Sequence, residues 1–271
     1  MHHAVTPVPA GVVLAVDRAL AGAGSAATAV ADELVAVVDA LDASGSLRRA
    51  LSDVSGTADD RAALAEHVLG DRVGARALAV VVAVVRHRWR TDRDVTAAVE
   101  RGAAQAALTA AEADGALGRV AEELFAFDRV LVGSRALRAA LSDQRSQVSA
   151  RLALVDGLLA DKVHPTTLRL VRRIVSQPRG RTVSGSLADL GRLAAERQLA
   201  LVAKATTAVR LTEAQTDRLE RTLTKMYGRG VKVNNAIDPT VIGGVQVQVG
   251  DETVDSTVIA RLDEVRRRLA G

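Results

Sequence analysis

"SLRRALSD" at residues 46–53 returns, 90 residues later, as "ALRAALSD" at 136–143. The same offset carries "ELVAVVDAL" (33–41) onto "ELFAFDRVL" (123–131) and "RAALAEHVLGDRV" (61–73) onto "RLALVDGLLADKV" (151–163). It also carries Leu78, Val81 and Val85 onto Leu168, Val171 and Val175. Apolar residues at helical spacing, interrupted at the same places in the same order, imply one helical bundle used twice. Because the unit spans most of a domain, it is a duplicated bundle and not a solenoid module.

In the second copy the periodicity predicts helices over about 94–113, 116–132, 146–160, 165–176 and 184–200, with a short turn near 135–141. Gly115, Gly133, the His164–Pro165 pair and "QPRGR" at 177–181 mark the breaks. Matching pieces of the first copy run from about 11 to 90. The segment from Asp92 to Ala113 has no proline and only Gly102 as glycine, so it is expected to be one unbroken helix shared by both bundles.

Beyond residue 200 the pattern changes. "LVAKATTAVRL" is β-prone, and "LTEAQTDRLERTLTKMYG" reads as a helix with a Thr212–Gln215 capping box, Leu219, Leu223 and Met226 on one face, and Gly228 as its stop. "VKVNNAID" and "GVQVQV" alternate as strands do, with Val245, Val247 and Val249 facing one way and Gln246 and Gln248 the other. Gly250 and Asp251 fit a two-residue hairpin turn, and Asp255 or Ser256 fits the cap of a last helix with the stripe Val258, Leu262, Val265 and Leu269. The expected fold is therefore mainly α. Two tandem helical bundles (1–93 and 94–200) share a helix, and a small α/β C-terminal domain (201–271) follows.

Composition narrows the chemistry. The chain has 271 residues, an apolar fraction of 48% and no cysteine, which excludes disulfides, thiolate metal sites and cysteine nucleophiles. Rings come only from Trp89, Phe125, Phe127 and Tyr227. The apolar run "ALAVVVAVV" at 77–85 is too short to span a bilayer, which takes about 20 residues, and reads as a buried helix segment. No basic region precedes the short apolar stretch at the N-terminus, so no secretory signal is expected. The pI is about 10.1. Residues 1–113 nevertheless carry 11 basic and 14 acidic groups, so the basic excess belongs to the rest of the chain.

The lysines at 162, 204, 225 and 232 follow Asp, Ala, Thr and Val, so no Gly-Lys-Ser/Thr phosphate loop exists. His2, His3, His67, His87 and His164 form no zinc-protease pair and read as surface or loop residues, and no G-x-S-x-G elbow occurs. "GAGSAA" at 22–27 fits a dinucleotide fingerprint in letters, but "DRALA" separates it from "VVLAV" and the following "ELVAVVD" is the repeat partner of a helix, so it reads as a helix break. No cofactor or metal is expected. Arg169, Arg172, Arg173, Arg179 and Arg181 raise a second reading, a basic helical nucleic-acid-binding protein, although stacking aromatics are nearly absent and a solvated helix face fits the same residues.

"AIDPTVIGGVQVQVGDETVDSTVIARLDEVRRRL" (236–269) resembles the C-terminal signature of the delta subunit family of bacterial F-type ATP synthases, whose mitochondrial counterpart is the oligomycin-sensitivity-conferring protein. The matching residues are Ile237, Asp238, Pro239, Ile242, Gly243, Gly244, Gly250, Asp251, Asp255, Arg261 and Leu262, while Ser256 stands where many members have glycine. The resemblance covers about residues 94–271, and the long, duplicated form is similar to those of actinobacteria. It implies a non-catalytic stator part, peripheral, at the cytoplasmic face of the plasma membrane. Its helical bundle would bind N-terminal helices of the alpha subunits and its C-terminal domain a b-type peripheral-stalk subunit, with no direct nucleotide site and no membrane span.

A partner helix needs an apolar groove between two helices. Ala103, Ala106, Ala107 and Ala110 line one side of the shared helix, and Leu168, Val171 and Val175 lie along another helix, so these seven are candidate groove residues. The same spacing fits an internal core.

Overall fold

The computed structural model describes residues 8–198, 201–227, 231–239, 241, 244–249 and 252–255. The chain divides into two compact units, Met1–Gln198 and Leu199–Gly271.

Among its described residues the first unit consists of helices α1 (Ala10–Leu20), α2 (Ala27–Ala43), α3 (Gly45–Ser52), α4 (Ala58–Leu69), α5 (Ala75–Arg86), α6 (Asp92–Ala113), α7 (Leu117–Gly133), α8 (Arg135–Ser142), α9 (Val148–Leu159), α10 (Pro165–Ser176) and α11 (Val183–Gln198), with a 3₁₀ turn at Gly24–Ala26. Helices α2 to α5 reappear as α7 to α10 with every boundary displaced by 90 residues. Local chemistry repeats with them. Ser44 and Ser134 cap α3 and α8 by accepting the amides of Leu47 and Leu137, each at 3.2 Å. The "GAGSAA" stretch is a helix break, with Gly22 and Gly24 at φ +67° and +55°, values that suit glycine.

Helix α6 is unbroken. A capping box starts it: Thr91 Oγ1 accepts the Asp94 amide and Asp94 Oδ2 accepts the Thr91 amide at 2.9 Å. Gly115, at φ +68°, turns the chain after its end. α6 packs against α2 as α11 packs against α7, so it closes the first copy, and it packs against α10 as α1 packs against α5, so it opens the second. One continuous hydrophobic core runs through both copies, including Leu34, Val81 and Leu41 from the first and Leu124, Val171 and Leu131 from the second. The repeat boundary thus falls inside a compact unit. The run "ALAVVVAVV" lies in α5, with Ala77, Val80, Val81, Val84 and Val85 fully buried.

Close approach at the centre of this core depends on Gly102. A Cβ added there would lie 2.9 Å from Val80 Cγ1, a fully buried side chain with no room to yield. Gly102→Ala is therefore expected to destabilise the unit by about 1–2 kcal/mol, because overpacking outweighs alanine's better helix propensity. Urea denaturation checks this, and a more stable variant would contradict it.

The second unit has strand β1 (Leu201–Thr207), helix α12 (Glu213–Tyr227) and strands β2 (Val231–Ile237), β3 (Gln246–Val249) and β4 (Glu252–Asp255), in the sheet order β2-β1-β3-β4. β1 pairs in parallel with β2 across the α12 crossover, and β3 runs antiparallel to both β1 and β4. The capping box forms as expected, with Gln215 Oε1 accepting the Thr212 amide at 2.9 Å and Thr212 Oγ1 accepting the Gln215 amide at 3.3 Å. Ala203, Leu223, Tyr227, Val231 and Val247 build the core, with Leu219 and Val245 against it. Met226, expected on the apolar face, is instead exposed and Tyr227 is buried, because the register of α12 turns the ring toward the sheet.

Candidate interaction site

Where the two copies meet, α2, α6, α10 and α11 enclose an open cleft of about 390 Å³. Its apolar floor comes from Ala31 and Val35 of α2, Ala103, Ala104 and Ala107 of α6, Leu170 and Ile174 of α10, and Leu190 and Leu193 of α11. Arg101, Arg169, Arg173, Arg181 and Arg192 stand around it with Glu100 and Asp189. Such a lining accepts a few apolar side chains projecting from one face of a helix.

The seven candidate groove residues fare differently. Ala103 and Ala107 line the cleft. Ala106, Val171 and Val175 are fully buried in the core. Ala110 packs with Ala23 and Ala27, and Leu168 is half-buried against the core. These last five are consumed within the chain: Ala106 and Ala110 lie in the stretch 102–111 of α6, all of it buried, and Leu168, Val171 and Val175 pack into the core from α10.

The cleft is bounded by an ion-pair network between the copies. Arg169 pairs with Asp32, and Arg173 Nη2 donates to Asp39 at 2.7 Å. Arg179 pairs with Asp42 at 2.6 Å and also with Glu100. Glu100 further accepts from Arg181 at 2.7 Å and lies 3.6 Å from Arg173. Burial works against the charge on Arg179, but Glu100 and Asp42 outweigh it and push its pKa up from the ordinary guanidinium value. Deeper in the unit, Arg197 of α11 reaches Asp17 of α1 at 3.2 Å, both nearly buried, and Glu112 of α6 at 2.8 Å. This network is the feature that sequence reading missed. Its trace was the uneven charge, an acidic first part and a basic remainder.

The nucleic-acid reading fails here. Arg172 makes a bidentate pair with Asp156 at 2.6 Å, and Arg169, Arg173, Arg179 and Arg181 are held by carboxylates of the first copy and of α6. Arginines neutralised within the chain offer little attraction to phosphates.

A carboxylate anchors the long helix of each copy. Glu33 Oε2 accepts the Gly74 amide at 3.0 Å before α5, and its counterpart Glu123 accepts the His164 amide at 2.8 Å and the Thr167 hydroxyl at 2.6 Å at the start of α10. Burial works against the charged form of Glu123. The bonds from Thr167, His164 and Arg119 prevail and hold its carboxyl below the usual 4.5. Since the folded value is the lower, this contribution is complete above about pH 4.5 and is lost as pH falls through the folded value. Glu123→Gln is expected to cost about 1 kcal/mol at pH 7, and its stability gap to the parent should narrow below pH 4.5. A gap in urea denaturation that stays constant down to pH 3 would contradict this.

Among the described residues no group of three His, Asp or Glu side chains could hold a metal ion, and no single helix is long and apolar enough to cross a membrane. His164 caps α10, its Nδ1 accepting the Thr166 amide, and His87 lies edge-on to Trp89.

In the second unit, Ile237 ends β2 with its side chain exposed, and the Asp238 amide donates to Thr207 O at 2.9 Å. Pro239 is exposed, and Gly244 has φ +92° two residues before β3 begins. Asp255, considered as a helix cap, ends strand β4 opposite Gln246. Ile242, Gly243, Gly250, Asp251, Arg261, Leu262 and the expected terminal helix lie outside the described residues.

The family model for the ATP synthase delta (OSCP) subunit matches residues 99–269. The chain is 48% identical to the ATP synthase subunit delta of Beutenbergia cavernae over 93% of this chain and 93% of that one. It is 45% identical to the subunit delta of Streptomyces avermitilis, covering 89% and 88% of the two chains, and 43% identical to that of Streptomyces griseus, covering 90% of each. The family model begins within α6, whereas the relatives extend over most of the first copy as well. The signature at 237–262 and the full-length likeness agree, and the chain belongs to the ATP synthase delta (OSCP) subunit family.

Proposed function

We propose that this chain is a non-catalytic stator component of an F-type ATP synthase, peripheral at the cytoplasmic face of the plasma membrane. Its helical unit grips N-terminal helices of the alpha subunits, and its C-terminal unit grips a b-type subunit of the peripheral stalk. The rotor exerts torque on the catalytic head, so the head must be held by a connector stiff on both sides. Family membership supports this reading, and the single observation that carries it is the apolar cleft between α2, α6, α10 and α11, which suits side chains from an amphipathic helix. Stiffness comes from the shared core, the unbroken α6 and the ion pairs that tie the copies together.

Co-purification from membranes tests it. The tagged chain should bring down alpha and b-type subunits, and association with the alpha N-terminal peptide should change little with added salt because apolar burial drives it. Recovery without ATP synthase subunits would contradict the proposal, as would nucleic-acid binding that weakens steeply with salt.

A further inference from the structure

Helix α2 meets the second copy along one stripe, Asp32, Val35, Asp39 and Asp42. Asp32 pairs with Arg169, Asp39 with Arg173 and Asp42 with Arg179, while Val35 lines the cleft. The offset of 90 puts Glu122, Phe125, Arg129 and Val132 at the same four positions of α7. There the stripe is open: Phe125 is 45% exposed, Val132 is 60% exposed, and Glu122 and Arg129 are exposed too. Neither charge is in an ion pair among the described residues. Phe125 lays its ring against Gly191 of α11, where a Cβ would come within 3.1 Å of the ring. The α7 stripe is thus the uncovered counterpart of an interface that the chain makes with itself.

Its chemistry has changed in a way that selects the occupant. Asp39 is replaced by Arg129, Asp42 by Val132, and the neighbouring Glu100 of α6 by Leu190 of α11. A second copy of this chain docking as α10 docks on α2 would bring Arg173 against Arg129 and leave Arg179 facing Val132 and Leu190 with no carboxylate. Like charges and an unpaired guanidinium reject that partner. An open-ended stack of copies is thereby blocked. We propose that the α7 stripe docks an amphipathic helix from another subunit of the assembly. That helix offers apolar residues to Phe125, Val132 and Leu190, a carboxylate to Arg129 and, as Arg169 does for Asp32, a basic residue to Glu122. Anchors at this spacing are those of helix-on-helix recognition. The proposal rests on the stator reading.

The test uses ATP synthase stripped of this subunit and rebinding of the full chain. With a photoreactive benzoylphenylalanine replacing Val132, the reassembled enzyme should crosslink to a helix of another subunit bearing that pattern of charges. Arg129→Glu and Phe125→Glu should each weaken rebinding by about tenfold or more, and Arg129→Lys should restore most of the loss. Both positions are solvent-exposed, so circular dichroism should show the variants folded as the parent is. Crosslinks to residues 201–271 of the same chain or to a second copy would overturn the proposal, as would rebinding of both glutamate variants within about twofold of the parent. Failure of the parent itself to rebind would overturn the stator reading, and this proposal with it. Equal rebinding of parent and variants would overturn this proposal alone.

Discussion

Replacing Arg61 with alanine is expected to lower the stability of the helical unit by about 3 kcal/mol. The side chain is 4% exposed and spends its donors on backbone carbonyls. Nε donates to Val85 O at 2.7 Å and Nη2 to Arg86 O at 3.0 Å, closing the C-terminus of α5, while Nη1 donates to Asp53 O at 3.1 Å and Gly56 O at 3.0 Å in the α3–α4 loop. Hydrogen bonds from a charged donor are each worth about 1.5–3 kcal/mol, partly offset because removing the guanidinium also removes its desolvation cost. The repeat supplies a control. Arg151 occupies the equivalent position at 5% exposure, but its Nε and Nη1 have no hydrogen-bond partner among the described residues, so Arg151→Ala should cost less. Urea denaturation of both variants decides it, and equal losses would contradict the assignment of the Arg61 contribution to these four bonds.

Glu100→Lys should loosen the two copies from each other, with an expected cost of about 3 kcal/mol. Its carboxylate is 15% exposed and lies among Arg173, Arg179 and Arg181. Reversing it leaves three guanidinium groups beside a fourth positive charge in a half-buried setting, where an unpaired charge is costly. Glu100→Gln should cost about half as much, since the amide oxygen still accepts one bond. High salt should reduce the penalty of the lysine variant by screening the repulsion. Hydrogen exchange would show the failure at α2 and α10, and uniform exchange across the unit would mean that the network does not hold the copies together.

The repeat was legible because apolar positions and breaks recur with a fixed offset, and the helix ends followed from Ser, Thr, Pro and Gly at the boundaries. α6 was legible as one helix for the same reason. Which of its residues line the cleft was not, since a helix packed around most of its circumference carries no clear amphipathic stripe, and alanine at 103, 104, 106, 107, 110 and 111 reads alike whether it meets a neighbour or a partner. The ion-pair network was hidden because its members are far apart in sequence: Asp32 and Arg169 are separated by 137 residues, Asp39 and Arg173 by 134. Local spacing says nothing about such pairs, so the arginines of α10 read as a solvated or phosphate-binding face. In the second unit the alternation of Val245 and Val247 against Gln246 and Gln248 was enough to place β3, while Met226 and Tyr227 are adjacent and a helical period read to the nearest residue misassigns one of them.

The two-grip account is tested most directly by Gly244→Val, with two bindings measured separately. Gly244 has φ +92°, a conformation that a β-branched residue adopts only under strain, and β3, which it precedes, lies between β1 and β4. The helical unit has its own core and should stay folded. Binding of the C-terminal segment of the b-type subunit should be lost, and binding of the alpha-subunit N-terminal peptide should be retained. Equal loss of both would contradict the division of labour between the two units.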